Sequence, residues 1–101
     1  MTPFPDVALA LVREGVDLTM RQCAVLLTVA RAEEAQTVRG LAWELNVPSP
    51  VITRAHTKLV ERGLLRVVTD RTDRRSVLIT ATAQGMEMAE RMTGVPVRRA
   101  A

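Results

Sequence analysis

Pro48-Ser49-Pro50-Val51-Ile52-Thr53-Arg54-Ala55-His56-Thr57-Lys58-Leu59-Val60-Glu61-Arg62-Gly63 opens the stretch that decides the fold. Ile52, Ala55 and Leu59 recur at helical spacing, His56 stands at the edge of their face, and Gly63 stops the pattern. Two β-rich runs follow, 64–68 and 76–79, with Asp70-Arg71-Thr72-Asp73-Arg74-Arg75 between them. Leu65 and Val67 alternate with Arg66 and Val68, then Val77 and Ile79 with Leu78, as in the two strands of a hairpin. A helix with a polar outer face therefore stands beside a ribbon tipped with arginines. Such a helix fits the major groove of a duplex, and a basic tip reaches phosphates or the minor groove.

The segments on either side complete a domain. Val38, Leu41, Ala42 and Leu45 fall at i, i+3, i+4 and i+7, an apolar stripe with Thr37 as its cap. Asn46-Val47-Pro48 breaks this helix, because Asn tolerates the left-handed backbone of a helix end. Ser49 is expected to cap the next helix, with Pro50 at its first position. Two apolar-striped helices on a tight turn form a helix-turn-helix. Upstream, Thr19-x-x-Gln22 is a capping box, and Cys23, Leu26, Leu27 and Ala30 follow at helical spacing. A short helix is expected over 6–14, with Val7, Ala8, Leu11 and Val12 on one side. Thr82 caps a last helix from 83 to about 92; Gly94 and Pro96 end it, and 94–101 is expected to fray. The expectation is an α+β winged helix-turn-helix, helices with a small antiparallel β-hairpin wing, in one domain over 1–101 with its core at 19–92.

Composition agrees. The 101 residues are 48% apolar, enough for a modest core. With one Trp, one Phe and no Tyr, that core must be aliphatic, and the aromatic platforms that grip single strands are missing. The net charge is +3, and its placement matters more than its size. Residues 49–75 hold seven basic side chains against Glu61, Asp70 and Asp73, whereas the rest of the chain holds seven against eight acidic ones. All the excess positive charge thus lies on the helix and hairpin, the footprint of a nucleic-acid binder. Thirteen of the fourteen basic residues are Arg, which favours bidentate contacts to phosphate and guanine.

The residues expected to touch DNA are Ser49, Pro50, Val51, Thr53, Arg54, Thr57 and Lys58 on the helix and Arg71, Arg74 and Arg75 on the tip. Arg54 suits a guanine edge, Thr53 and Thr57 bases or phosphates, and Lys58 a phosphate. Asp70 and Asp73 are expected to brace one or two of the tip arginines. The plainer alternatives are a solvated helix face and a charged turn that only keeps the loop soluble. Cys23 reads as a small core residue, since a redox sensor needs exposure and a depressed pKa. His56 is expected to pack at the helix edge or touch a phosphate. One His and one Cys make no structural zinc site, and no cofactor is expected. Trp43 is expected to be half-buried. A nucleophile with a spaced His and acid, a glycine-rich phosphate loop and a paired-carboxylate site are all missing from the sequence, so an enzyme is not expected. The sequence carries no signal peptide and no bilayer-length apolar run, and a cytoplasmic protein without a membrane partner is expected.

Thr37-Val38-Arg39-Gly40-Leu41-Ala42, Val51-Ile52-Thr53-Arg54, Leu59-Val60-Glu61-Arg62-Gly63-Leu64-Leu65, Asp70-x-x-Asp73-Arg74-Arg75 and Thr82-Ala83-Gln84-Gly85 resemble the MarR family of bacterial winged-helix transcription regulators. The resemblance runs from about Thr19 to Met92. It implies that the helix at 49–62 enters the major groove. It also implies that Arg74 or Arg75 reaches the minor groove, braced by Asp70 or Asp73, and that transcription is regulated from a palindromic operator. Family members dimerise through long terminal helices, with effector pockets beside them; here the first helix is short and the long last helix is missing after Met92. A homodimer of this short form is expected to use Val7, Leu11, Met88 and Met92. The alternatives are a winged helix that docks on another regulator or on polymerase, and a metabolite-sensing module.

Overall fold

A computed structural model describes residues 3–73 and 75–94 of the chain. Arg74 and the tail 95–101, with the expected stop at Pro96, lie outside the described residues. The elements run α1 (Phe4–Arg13), α2 (Met20–Arg31), α3 (Val38–Leu45), α4 (Ser49–Glu61), β1 (Leu65–Thr69), β2 (Val77–Ala81) and α5 (Ala83–Thr93). The arrangement is an α+β winged helix-turn-helix.

α2, α3 and α5 begin where a threonine side chain offers a partner for the helix's free N–H groups. The capping box forms at α2: Thr19 Oγ1 accepts from the Gln22 N–H at 3.1 Å, and Gln22 Oε1 accepts from the Thr19 N–H at 2.9 Å. Thr37 caps α3 through the Gly40 N–H, and Thr82 caps α5 through the Gly85 N–H. Asn46 ends α3 at φ 56°, a left-handed turn that carries the chain into α4.

Two starts differ from expectation, both through proline. α1 begins at Phe4, not residue 6, because Pro3 serves as its N-cap and Pro5 fits the first turn, where a missing N–H is no loss. α4 begins with Ser49 already helical and Pro48 as the N-cap, whereas Ser49 had been the expected cap. Pro48 sits at φ −64° and ψ 148°, an extended conformation preset by its ring, and its carbonyl accepts from the Val51 N–H at 2.9 Å. The strands also begin one residue later than the β-rich runs. Leu64 closes the end of α4 instead, its N–H donating to the Leu59 carbonyl at 2.9 Å.

The core is aliphatic. Val25, Leu26 and Val29 of α2, Leu41 of α3, Ile52 and Leu59 of α4, Leu65 of β1 and Ile79 of β2 are fully buried. Each such side chain contributes about 1.5–3 kcal/mol relative to exposure. α2 runs through the centre and packs on α4, α5, β2 and α3. Trp43 takes no part: it is 86% exposed, against the half-buried position expected of a large ring. The reason lies in the stripe itself. Val38, Leu41, Ala42 and Leu45 occupy the inner face of α3, and at about 100° per residue position 43 falls on the other side.

β1 and β2 pair antiparallel, with Val67 opposite Ile79. Gln36, just before α3, adds a bridge to β2: its N–H donates to the Ile79 carbonyl at 2.9 Å and its carbonyl accepts from Ile79 at 2.7 Å. At the other end Thr82 Oγ1 donates to the Gly63 carbonyl at 2.6 Å, and the Thr82 N–H donates to Leu64 at 3.2 Å. The hairpin is therefore tied to the helix-turn-helix at the middle of β2 and again at its base, which fixes where its tip points.

Candidate nucleic-acid interface

α4 divides into two faces. Ile52, Ala55, His56 and Leu59 are buried; Ser49, Pro50, Thr53, Arg54, Thr57 and Lys58 are exposed, and Val51 is half-buried between them. Burial of His56 removes it from phosphate contact. Its Nδ1 has no hydrogen-bond partner among the described residues, and desolvation by burial holds its pKa below the ordinary value, against the opposing pull of a backbone hydrogen bond. The imidazole is thus a neutral packing element.

On the outer face, Arg54 has no ionic partner among the described residues. Lys58 Nζ lies 3.6 Å from Glu61 Oε2, one turn on, an exposed pair that water competes for. Because Pro48 occupies the cap position, the Ser49 hydroxyl makes no capping bond and remains available at the start of the helix. Thr57 Oγ1 donates to the Thr53 carbonyl at 2.7 Å, back onto its own helix.

The hairpin tip is organised by its two aspartates, but differently from each other. Asp70 Oδ1 accepts from Thr72 Oγ1 at 2.7 Å and from the Thr72 N–H at 2.9 Å. These bonds, the hydroxyl's foremost, hold its carboxyl below the usual carboxylate range. Asp73 Oδ1 accepts from the Arg75 N–H at 3.0 Å and lies 3.7 Å from Arg75 Nε, and Asp73 Oδ2 accepts from Ser76 Oγ at 3.3 Å. The carboxylates therefore shape the turn's backbone and hydroxyls first; Arg75 alone gains an ionic neighbour among the described arginines of the tip. The Arg75 side chain is still 96% exposed, and Arg71 is exposed as well. Arg66 adds an exposed guanidinium on β1, a residue that alternation alone placed outward. Arg39 and Trp43, one turn apart on the outer face of α3, are exposed too; no role follows for Arg39 from the apolar stripe of α3, and Trp43 was expected half-buried.

The residues expected at a dimer contact sit elsewhere. Val7 and Leu11 are buried where α1 packs on α5, and Met88 and Met92 are half-buried against the core. Arg91 of α5 pairs with Glu14 at the end of α1. Phe4, Leu9 and Val12 are the exposed large apolar residues of α1. Beneath α1 lies an apolar cleft of about 330 Å³, lined by Phe4, Leu11, Cys23, Leu27 and Met92 among others. Burial raises the Cys23 thiol above its ordinary pKa, so the reactive thiolate is disfavoured. Among the described residues, no three His, Cys, Asp or Glu side chains are grouped to hold a metal ion, and no helix is long and apolar enough to cross a membrane.

The sequence profile of the MarR family matches residues 16–76, from the approach to α2 through the wing. The chain belongs to the MarR family. Among solved structures, a MarR-family transcriptional regulator from Rhodococcus sp. RHA1 is 30% identical, with a TM-score of 0.75 over 90% of this chain and 62% of that one. Zinc-responsive ZitR of Lactococcus lactis, also of the MarR family, is 28% identical, with a TM-score of 0.69 over 78% of this chain and 54% of that one. The MepR–DNA complex of S. aureus, 23% identical, shares the fold with a TM-score of 0.74 over 80% of this chain and 66% of that one. This MarR-family chain spans about half the length of the ZitR structures it matches. No curated protein sequence matches it.

Proposed function

We propose that this chain is a sequence-specific double-stranded DNA-binding protein that regulates transcription. α4 enters the major groove, and the wing lies on phosphates and the minor groove. One observation carries the reading: Arg54 on α4 and Arg71 and Arg75 on the wing are exposed cations on two elements that share one rigid base. Pro50, Val51, Thr53, Thr57 and Ser49 complete the base- and phosphate-facing set, and Lys58 is freed from Glu61 for a phosphate. Asp70 and Asp73 hold the tip in shape before contact, which lowers the entropy lost on binding. Family membership supports the same role, and the proposal assigns the chain no catalysis. A regulator of this kind works in the cytoplasm, where the DNA is.

The proposal includes a homodimer. One module makes few phosphate contacts, whereas two half-sites joined by an interface multiply affinity. Because Val7 and Leu11 are buried in the chain's own interior, the contact falls to the exposed apolar residues of α1, Phe4, Leu9 and Val12. Selection of bound sequences from a random duplex library tests the whole reading. Enrichment of an inverted repeat is the expected result. No enrichment would favour the rival role, a winged helix that docks on another protein.

A further inference from the structure

We propose that Thr57 reads the 5-methyl group of a thymine, its γ-methyl presented to the groove because its hydroxyl is tied back to the Thr53 carbonyl. The inference rests on the reading of α4 as the major-groove helix and names what one of its residues recognises.

Two observations carry it. The first is the bond itself: Thr57 Oγ1 donates to the Thr53 carbonyl at 2.7 Å, although the residue is exposed and water is at hand. Thr28 on α2 makes the same kind of bond, to the Ala24 carbonyl at 2.8 Å, but Thr28 is half-buried and gains a partner for a hydroxyl partly shut off from solvent. A β-branched side chain has few rotamers on a helix, and this bond selects one. With Oγ1 turned onto the backbone, the γ-methyl is the group that Cβ presents outward.

The second observation is position. At about 3.6 residues per turn, Pro50, Arg54 and Thr57 fall on one stripe opposite Ile52, Ala55 and Leu59. Arg54 offers only donors, which suit the O6 and N7 acceptors of guanine. One turn on, Thr57 has committed its single proton and offers a methyl. Thymine is the base with a methyl on its major-groove edge, and apolar contact there is an established mode of readout. The stripe therefore fits a guanine near a thymine, distinguished by one guanidinium and one methyl contact.

The test begins from duplexes selected by the native chain, with each thymine replaced singly by uracil, which removes only the methyl. One position in each half-site is expected to weaken binding roughly three- to fivefold, about the value of one buried methyl. Thr57→Ser keeps the hydroxyl and loses the methyl; it should bind the thymine duplex as weakly as the native chain binds the uracil one and ignore the replacement. Thr57→Val keeps a methyl and loses the hydroxyl; it should retain the discrimination. Far-UV circular dichroism checks that α4 stays helical in both. Native binding indifferent to uracil everywhere, a Thr57→Ser protein still sensitive to it, or a Thr57→Val protein that loses it would each overturn the inference while leaving salt-dependent DNA binding intact. A native chain that binds no duplex would overturn the major-groove reading and this inference together.

Discussion

Arg54 is the residue through which α4 is expected to read a base. It stands exposed, without an ionic partner among the described residues, so no ion pair among them is lost when it is removed. Arg54→Ala should leave thermal stability nearly unchanged, cost about 1–3 kcal/mol of operator affinity, and relax selectivity at one base pair per half-site. A binding titration against single-base operator variants checks this. Arg75→Ala should instead weaken all duplexes alike and reduce the salt slope by about one. His56 carries a different kind of consequence. Its folded pKa lies below its unfolded value near 6.5, so the unfolded chain takes up a proton first as pH falls. Stability is fully present above that value and declines as pH falls below it toward the folded pKa. Thermal melts from pH 7.5 to 5 should show this decline, and His56→Leu should flatten it; Asp70, whose pKa is lowered, acts at lower pH with the same sign. At this scale the sequence was legible in pattern and blind in detail. The apolar stripes told buried from exposed on α4, whereas Trp43, expected half-buried, stands on the outer side of α3 because the stripe occupies the other. Whether each aspartate of the tip holds an arginine or the turn's own backbone depends on ångström-scale approach, which residue spacing does not encode.

The wing's anchorage is a property of elements. α5 begins against the end of α4 at a contact that only glycine allows: a Cβ on Gly85 would lie 2.0 Å from the Leu64 carbonyl oxygen. That oxygen belongs to backbone fixed between α4 and β1, and it also accepts from the Thr82 N–H. Gly85→Ala should therefore push α5 off the base of the wing and cost about 1–3 kcal/mol, the usual range for overpacking. For a domain of this size each 1 kcal/mol lowers the melting temperature by about 4–8 °C, so calorimetry resolves the effect. Thr19→Ala, which removes one half of the capping box, should cost about 1 kcal/mol by the same measurement. Helix identities and most ends were legible, because capping is local: Thr19, Thr37, Asn46 and Thr82 act where the residue order places them. α4 and α1 began earlier than expected, since a proline outside a helix can serve as its cap by conformation alone, with no side-chain bond to announce it. β1 began a residue late because Leu64 is drawn into closing α4, and β2 because the Ser76 N–H is held by the Asp73 carbonyl in the turn.

For the whole molecule, the asymmetry of charge remains the organising fact. Residues 49–75 hold the excess of positive charge, and folding places that segment's helix and hairpin side by side, their inner faces joined to α2 and α3 in one core. The fold could be read from the sequence because pattern, caps and charge agreed. The inward side of α1 could not: it is set by packing on α5, a contact between opposite ends of the chain. Sedimentation is expected to show a dimer at micromolar concentration and a monomer when Phe4 and Val12 are both changed to Glu. The central claim, that the exposed guanidinium groups of α4 and the wing bind a polyanion together, is tested most directly by the salt dependence of duplex binding. The account predicts a linear, steep fall of log affinity with log salt for the native chain, and a slope shallower by about two per protomer when Arg54, Arg71 and Arg75 are all changed to Ala, the two wing arginines supplying the change. Identical slopes for the two proteins, or an affinity indifferent to salt, would contradict it.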